Sequence, residues 1–198
     1  MKKILVVLVT ILSLFFTSSV QAKISLPEKT DHEKVKVYLF WSSICHNCHN
    51  LIKYFANNYE EYTDYFEIVT YQVDNNKNNS SLASTIAEQV GEKPGYVPLV
   101  IIGSTYHVLG WSDTVGETIT KEALKAYEDK NYTDIVAKEI SDKKLETEEK
   151  TFKDACDIIG VKISASKSNK VDTNFVIGFV AGVIILGIAG LVILARKK

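Results

Sequence analysis

The sequence predicts an α/β protein: a mixed sheet of about four strands with flanking helices, followed by one C-terminal transmembrane helix. Three observations lead there. Strand-like apolar runs alternate with helix-like amphipathic stretches, in the order strand, helix, strand, helix, strand, strand, helix. A helix between the early strands implies parallel pairing, while a later strand pair joined by a tight turn adds antiparallel pairing. Near the C-terminus, 21 residues from Phe175 to Ala195 carry no charge in an otherwise charged chain.

The elements follow in order. Val35-Lys36-Val37-Tyr38-Leu39-Phe40-Trp41 reads as the first strand. It runs through Ser42-Ser43-Ile44 into a helix from about Cys45 to Tyr59, whose apolar stripe is Cys48, Leu51, Ile52 and Phe55. Residues 66–73, rich in β-branched and aromatic side chains, form the second strand. Residues 74–79 are turn-like. Ser80 or Ser81 caps the next helix, which carries Leu82, Ile86 and Val90 and stops at Gly91. A loop over residues 92–95 precedes Val97-Pro98 and the short buried-type strand of residues 99–102. Gly103-Ser104 turns the chain into its hairpin partner, residues 105–109. A further helix covers residues 119–130. Residues 131–163 are charged, with Ile135, Val136, Ile140, Leu145, Phe152 and Ile159 spaced among the charges. They read as one or two more helices, packed loosely if at all.

The ends suggest export and anchoring. Residues 1–22 join a short basic start to an apolar run and a small-residue end, the pattern of a secretory signal peptide. Residues 23–34 are a polar lead-in, in which His32 carries no signal. At helical rise, residues 175–195 would span about 31 Å, the thickness of a bilayer's hydrocarbon core. Arg196-Lys197-Lys198 follow, and positive residues stay cytoplasmic. The expectation is a single-pass cell-membrane protein with residues 35–130 as its extracytoplasmic domain. Residues 131–163 extend that domain, residues 164–174 form a linker, and residues 196–198 are a cytoplasmic tail. A net charge of −1 leaves no basic patch for nucleic acid. No nucleotide-binding glycine loop or catalytic carboxylate pair is present.

The chemistry lies in Cys45-His46-Asn47-Cys48, at the strand-to-helix junction. A Cys-x-x-Cys pair there suits reversible thiol–disulfide exchange. Cys45 stands at the helix N-terminus, where unpaired N–H groups and the helix dipole favour a thiolate, and so would attack. Cys48 lies on the apolar stripe and would resolve a mixed disulfide. A protonated His46 would stabilise the thiolate further. Three alternatives remain open. A structural staple over so short a loop gains only about 2 kcal/mol. A metal-binding or metal-delivery protein could use Cys45, Cys48 and a histidine such as His49, with the remote Cys156, but lacks a second ligand pair. A surface interaction domain would leave its cysteines idle. His49 and His107 read most simply as surface and strand residues, Trp41 and Trp111 as neighbours of the site, and Cys156 as a small, partly buried residue.

The order of elements, with Phe40-Trp41-Ser42-Ser43-Ile44-Cys45-His46-Asn47-Cys48 and Val97-Pro98 before an apolar strand, resembles the thioredoxin superfamily over roughly residues 31–130. Gly110 after the hairpin also fits. The resemblance implies a minimal version of that fold. It implies a cis Val97–Pro98 bond beside the cysteine pair, with Val97 presenting main-chain groups to an extended substrate. It also implies a thiol–disulfide oxidoreductase, without cofactor or metal, which the export pattern of the ends would set acting on exported proteins with thiols or disulfides. The apolar span has no cysteine, so a separate membrane redox partner would exchange electrons with the pair. Leu39 stands where many members carry a buried acid that moves the resolving thiol's proton. His46 and Asn47 would tune the potential, anywhere between about −270 and −120 mV.

Overall fold

A computed structural model describes residues 24–30 and 33–164. The expected signal peptide, membrane span and cytoplasmic tail lie outside the described residues, as do His32 and all of the linker except Ser164. Among the described residues no helix is long and apolar enough to cross a membrane.

The architecture is α/β, as expected, on a mixed sheet of five strands. These are β1 (Val35–Trp41), β2 (Phe66–Gln72), β3 (Leu99–Ile102), β4 (Tyr106–Leu109) and β5 (Lys150–Thr151). Their spatial order is β4-β3-β1-β2-β5. β1 and β2 run parallel, with Val35 opposite Phe66, and the other neighbours are antiparallel. The parallel pair needs a crossover. It is supplied by α1 (His46–Asn58) and a short 3₁₀ turn (Tyr59–Tyr62). The other helices are α2 (Lys77–Gln89), α3 (Val115–Glu128), α4 (Ile135–Lys143) and α5 (Phe152–Ile158).

Alternation along β1 sends its side chains to two cores. Val35, Val37, Leu39 and Trp41 join α1, α3 and α5 residues, including Cys48, Leu51, Ile119 and Phe152. Tyr38 and Phe40 join Leu82 and Ile86 of α2 and Val136 of α4. Both faces of β1 are therefore covered, as its nearly continuous apolar run requires. Burying each large side chain fully is worth about 1.5–3 kcal/mol.

Three features differ from the sequence reading. Helix α2 starts at Lys77, with the Asn76 side chain accepting the N–H groups of Asn78 and Asn79 as its cap. Helix α3 starts at Val115, although Gly116 and Thr118 are poor helix formers. Packing decides: a Cβ on Gly116 would lie 2.4 Å from the Tyr54 ring, so only glycine lets the two helices meet.

The charged extension is the third and largest correction, because it is an integral part of the core. Val136, Phe152, Ala155 and Cys156 are all buried. Asn79, itself buried, donates to Gln72 O and Glu148 O and accepts from Glu148 N–H. Asn78 donates to Glu146 O. The segment from 146 to 148 is thereby fixed before β5 pairs with Val69 and Thr70 of β2. Thr151 and Asp154 then form a capping box that starts α5. At the end of the described chain, Ser164 N–H donates to Ala56 O at 2.8 Å, in the last turns of α1.

Candidate redox site

The site forms where β1 ends and α1 begins. Trp41 is fully buried, and Val73 N–H donates to its carbonyl at 2.9 Å. Ser42 O then accepts from Cys45 N–H at 3.2 Å, and Ser42 Oγ from Ile44 N–H at 3.3 Å. Ser43 donates both its N–H and its hydroxyl to the Asp74 carboxylate, just beyond β2. His49 Nε2 lies 2.8 Å from Ser43 O, so α1 holds the same loop from the other side.

Cys45 is the N-cap residue of α1, with extended backbone angles. Its sulfur accepts Cys48 N–H at 3.1 Å. This is the anion-favouring position at a helix start, and no acidic side chain in the first turn competes with it. Cys45 and Cys48 are joined as a disulfide, with their Cα atoms 5.2 Å apart. Cys45 is half-buried and Cys48 is fully buried. His46 and Asn47 are exposed on the first turn, and neither side chain has a hydrogen-bond partner among the described residues. Leu39 is buried in the same cluster as Cys48 and Trp41.

The Val97–Pro98 peptide bond is cis. Val97 O lies 3.6 Å from Cys45 Sγ. A disulfide sulfur has no proton to donate, so this is a contact in the oxidised state. Pro98 is buried and its carbonyl accepts Gly110 N–H at 2.7 Å, fixing the loop to the end of β4. Trp111 packs against Tyr54 of α1, with ring centroids 5.9 Å apart. No family model, curated protein or solved structure matches this chain.

The structure thus brings Cys45, Cys48, Val97 and Pro98 together, with His46 and Asn47 on the rim. It does not bring in Cys156, which lies in α5, 1% exposed. Burial pushes the Cys156 thiol up to about 11, with the Asp157 carboxylate adding to the effect. His107 is 3.5 Å from Glu92 and takes no part in the cysteine pair. Among the described residues, no three of His, Cys, Asp and Glu are grouped to hold a metal ion.

Sequence reasoning missed Ser43, Asp74 and the role of His49. Burial pushes the Asp74 carboxyl up, but the hydrogen bonds from Ser43 outweigh it and hold the carboxyl below its ordinary value. The signal available was Asp74 itself, a carboxylate directly after a strand parallel to β1. A separate cleft of about 630 Å³, lined by Lys34, Lys36, Tyr127, Tyr132 and Asp134 among others, lies at the start of β1. That is about 20 Å of strand from the cysteines.

Proposed function

We propose that this chain is an extracytoplasmic, membrane-anchored thiol–disulfide oxidoreductase with a minimal thioredoxin-like fold. One observation carries the reading. Cys45 Sγ, half-buried at a helix N-cap and bonded to a fully buried Cys48, lies 3.6 Å from the carbonyl of a cis-proline pair. Supporting it are the five-stranded mixed sheet and the helices on both of its faces.

In the reduced pair, the Cys48 N–H and the helix dipole favour the Cys45 thiolate. That thiolate attacks a substrate disulfide, and one substrate sulfur leaves with the electron pair. Cys48 then loses its proton and attacks Cys45 Sγ, releasing the second substrate thiolate and forming the Cys45–Cys48 disulfide. Two electrons pass to the substrate, and the protons of both cysteines end on its thiols. Run backward, the same steps oxidise a substrate dithiol. Val97 presents main-chain groups to the extended substrate, and His46 and Asn47 tune the thiolate. The exchange itself needs no cofactor. Exported proteins are the substrates, and a separate membrane redox partner resets the pair.

The test is a redox equilibrium against glutathione, with the reduced fraction read by alkylation and mass. A reversible two-electron transition between about −270 and −120 mV is expected. A pair that never cycles would sink the proposal, and stoichiometric zinc on the uncycled thiols would support the metal-binding alternative.

A further inference from the structure

Two histidines stand at the start of α1, in different surroundings. His46 is exposed, and its ring has no hydrogen-bond partner among the described residues. His49 is half-buried, with Nε2 2.8 Å from Ser43 O. A carbonyl oxygen only accepts, so Nε2 carries the proton and donates. The direction fits as well. A helical side chain leans back over the turn before it, and His49 stands four residues after Cys45, on the same helix face. With Nε2 holding its proton, the ring gains or loses charge at Nδ1, so the donor is present in both the neutral and the charged imidazole.

This bond completes a turn whose N–H groups are all held from elsewhere. Ser43 donates its N–H and its hydroxyl to the Asp74 carboxylate. Ile44 N–H goes to Ser42 Oγ and Cys45 N–H to Ser42 O. His49 grips the other side twice. Its ring holds Ser43 O, and its backbone N–H donates to Cys45 O at 3.1 Å. One helical residue thus ties positions 43 and 45 to α1, while Asp74 ties position 43 to the end of β2. In the oxidised chain the bond to Cys48 also holds Cys45. Reduction removes that covalent tie and leaves the hydrogen bonds to hold the turn.

We propose that His49 is a positioning residue for the cysteine pair: its Nε2–H clamps the turn from Ser43 to Cys45 once the disulfide opens, so that the Cys45 thiolate stays on the Cys48 N–H. This rests on the redox reading above. The bond to Ser43 O serves both redox states, and its own loss weakens both alike. The N–H donated to sulfur does not cancel, because a hydrogen bond to a thiolate is stronger than one to a neutral disulfide sulfur. Without the His49 donor, Ser43 is held from the Asp74 side only. Cys45 can then leave the N-cap position after reduction, and the reduced state loses more than the oxidised one. The role belongs to the proton on Nε2 rather than to the charge of the ring.

The test is the glutathione equilibrium of the full-length chain. Two glutathione thiols pass two electrons and two protons to the Cys45–Cys48 disulfide and leave as glutathione disulfide. His49→Leu removes the donor, His49→Gln replaces it with an uncharged amide N–H, and His107→Leu is the control. The equilibrium should shift about tenfold toward the protein disulfide in His49→Leu, about 30 mV, and stay within about twofold of wild type in His49→Gln and His107→Leu. The ultraviolet absorbance of the Cys45 thiolate should appear at higher pH in His49→Leu alone. A glutamine variant that behaves like the leucine one would overturn the proposal, because the charge of the ring would then set the pair. A second measurement needs no substitution. Long-range proton–nitrogen NMR of the reduced wild type should show His49 as the Nε2–H form, with that proton slow to exchange. A His49 ring that averages between tautomers as an exposed imidazole does would overturn the clamp. If the wild type exchanges with glutathione and His49→Leu matches it in equilibrium and thiolate titration, the clamp alone fails. If the wild type never exchanges, the redox reading falls and the clamp with it.

Discussion

Cys45 and Cys156 are the same side chain on two helices of one fold, yet their surroundings are opposite. Cys45 caps the start of α1, half-buried, with an N–H donated to its sulfur. Cys156 lies inside α5, 1% exposed, where loss of water pushes its thiol up to about 11. A helix start supplies unpaired N–H groups that favour a thiolate, whereas a buried helix face supplies only apolar contacts. On the proposed function, reactivity would follow position along a helix rather than residue type.

The strongest way to break this contrast is to remove the sulfur at the helix start. Cys45→Ser should abolish exchange, and Cys48→Ser should accumulate mixed disulfides visible as mass adducts. Adducts through Cys156 in the Cys45→Ser protein would refute the assignment. Next in size is the packing that encloses Cys156. Phe152 sits edge-on to Phe55 and Tyr59, at 6.4 and 5.4 Å. Phe152→Ala should cost about 3–5 kcal/mol in urea unfolding and open Cys156 to iodoacetamide. Persistent protection of Cys156 would show that the Phe152 side chain does not shield it.

Smaller effects sharpen the comparison. Asp74→Ala removes the acceptor for Ser43 and should cost about 1.5 kcal/mol, with several-fold slower exchange at Cys45. Normal exchange rates in that variant would make the Asp74–Ser43 pair purely structural. The Asp74 carboxyl is held low, so its contribution is present above the ordinary value of 3.8 and is lost as pH falls below it. The smallest effect concerns Cys156 in alkali. Its raised thiol contributes stability that is fully present below the ordinary value of 9.0 and is lost as pH rises toward about 11. Unfolding midpoints of wild type and Cys156→Ala should therefore shift relative to each other over that window, the wild type losing more. Parallel pH profiles would contradict it.

Much of this was legible in the sequence, for physical reasons that differ by element. β1, α1 and the β3–β4 hairpin announce themselves because their apolar spacing and their punctuation agree. The apolar stripe of α1 alone places Cys48 inward and Cys45 at the end. The pairing of residues 150 and 151 was not legible, because two residues among charges have no period. What places them is Asn79, a polar side chain whose bonds reach 69 residues along the chain to Glu148. The early start of α3 was hidden for a related reason, since Gly116 argues against a helix until Tyr54 is seen beside it. At the site, the cysteines were evident from spacing. Ser43 and Asp74 were not, because a hydrogen bond across 31 residues leaves no local pattern.

The hydrogen bond from Ser164 to Ala56 gives the molecule a polarity of its own. The last described residue lies beside the last turns of α1, while the disulfide caps that helix's first turn. Eleven residues at helical rise separate Cys45 from Ala56, about 17 Å. A pull applied at Ser164 would therefore enter the fold at one end of this helix, with the sulfurs at the other.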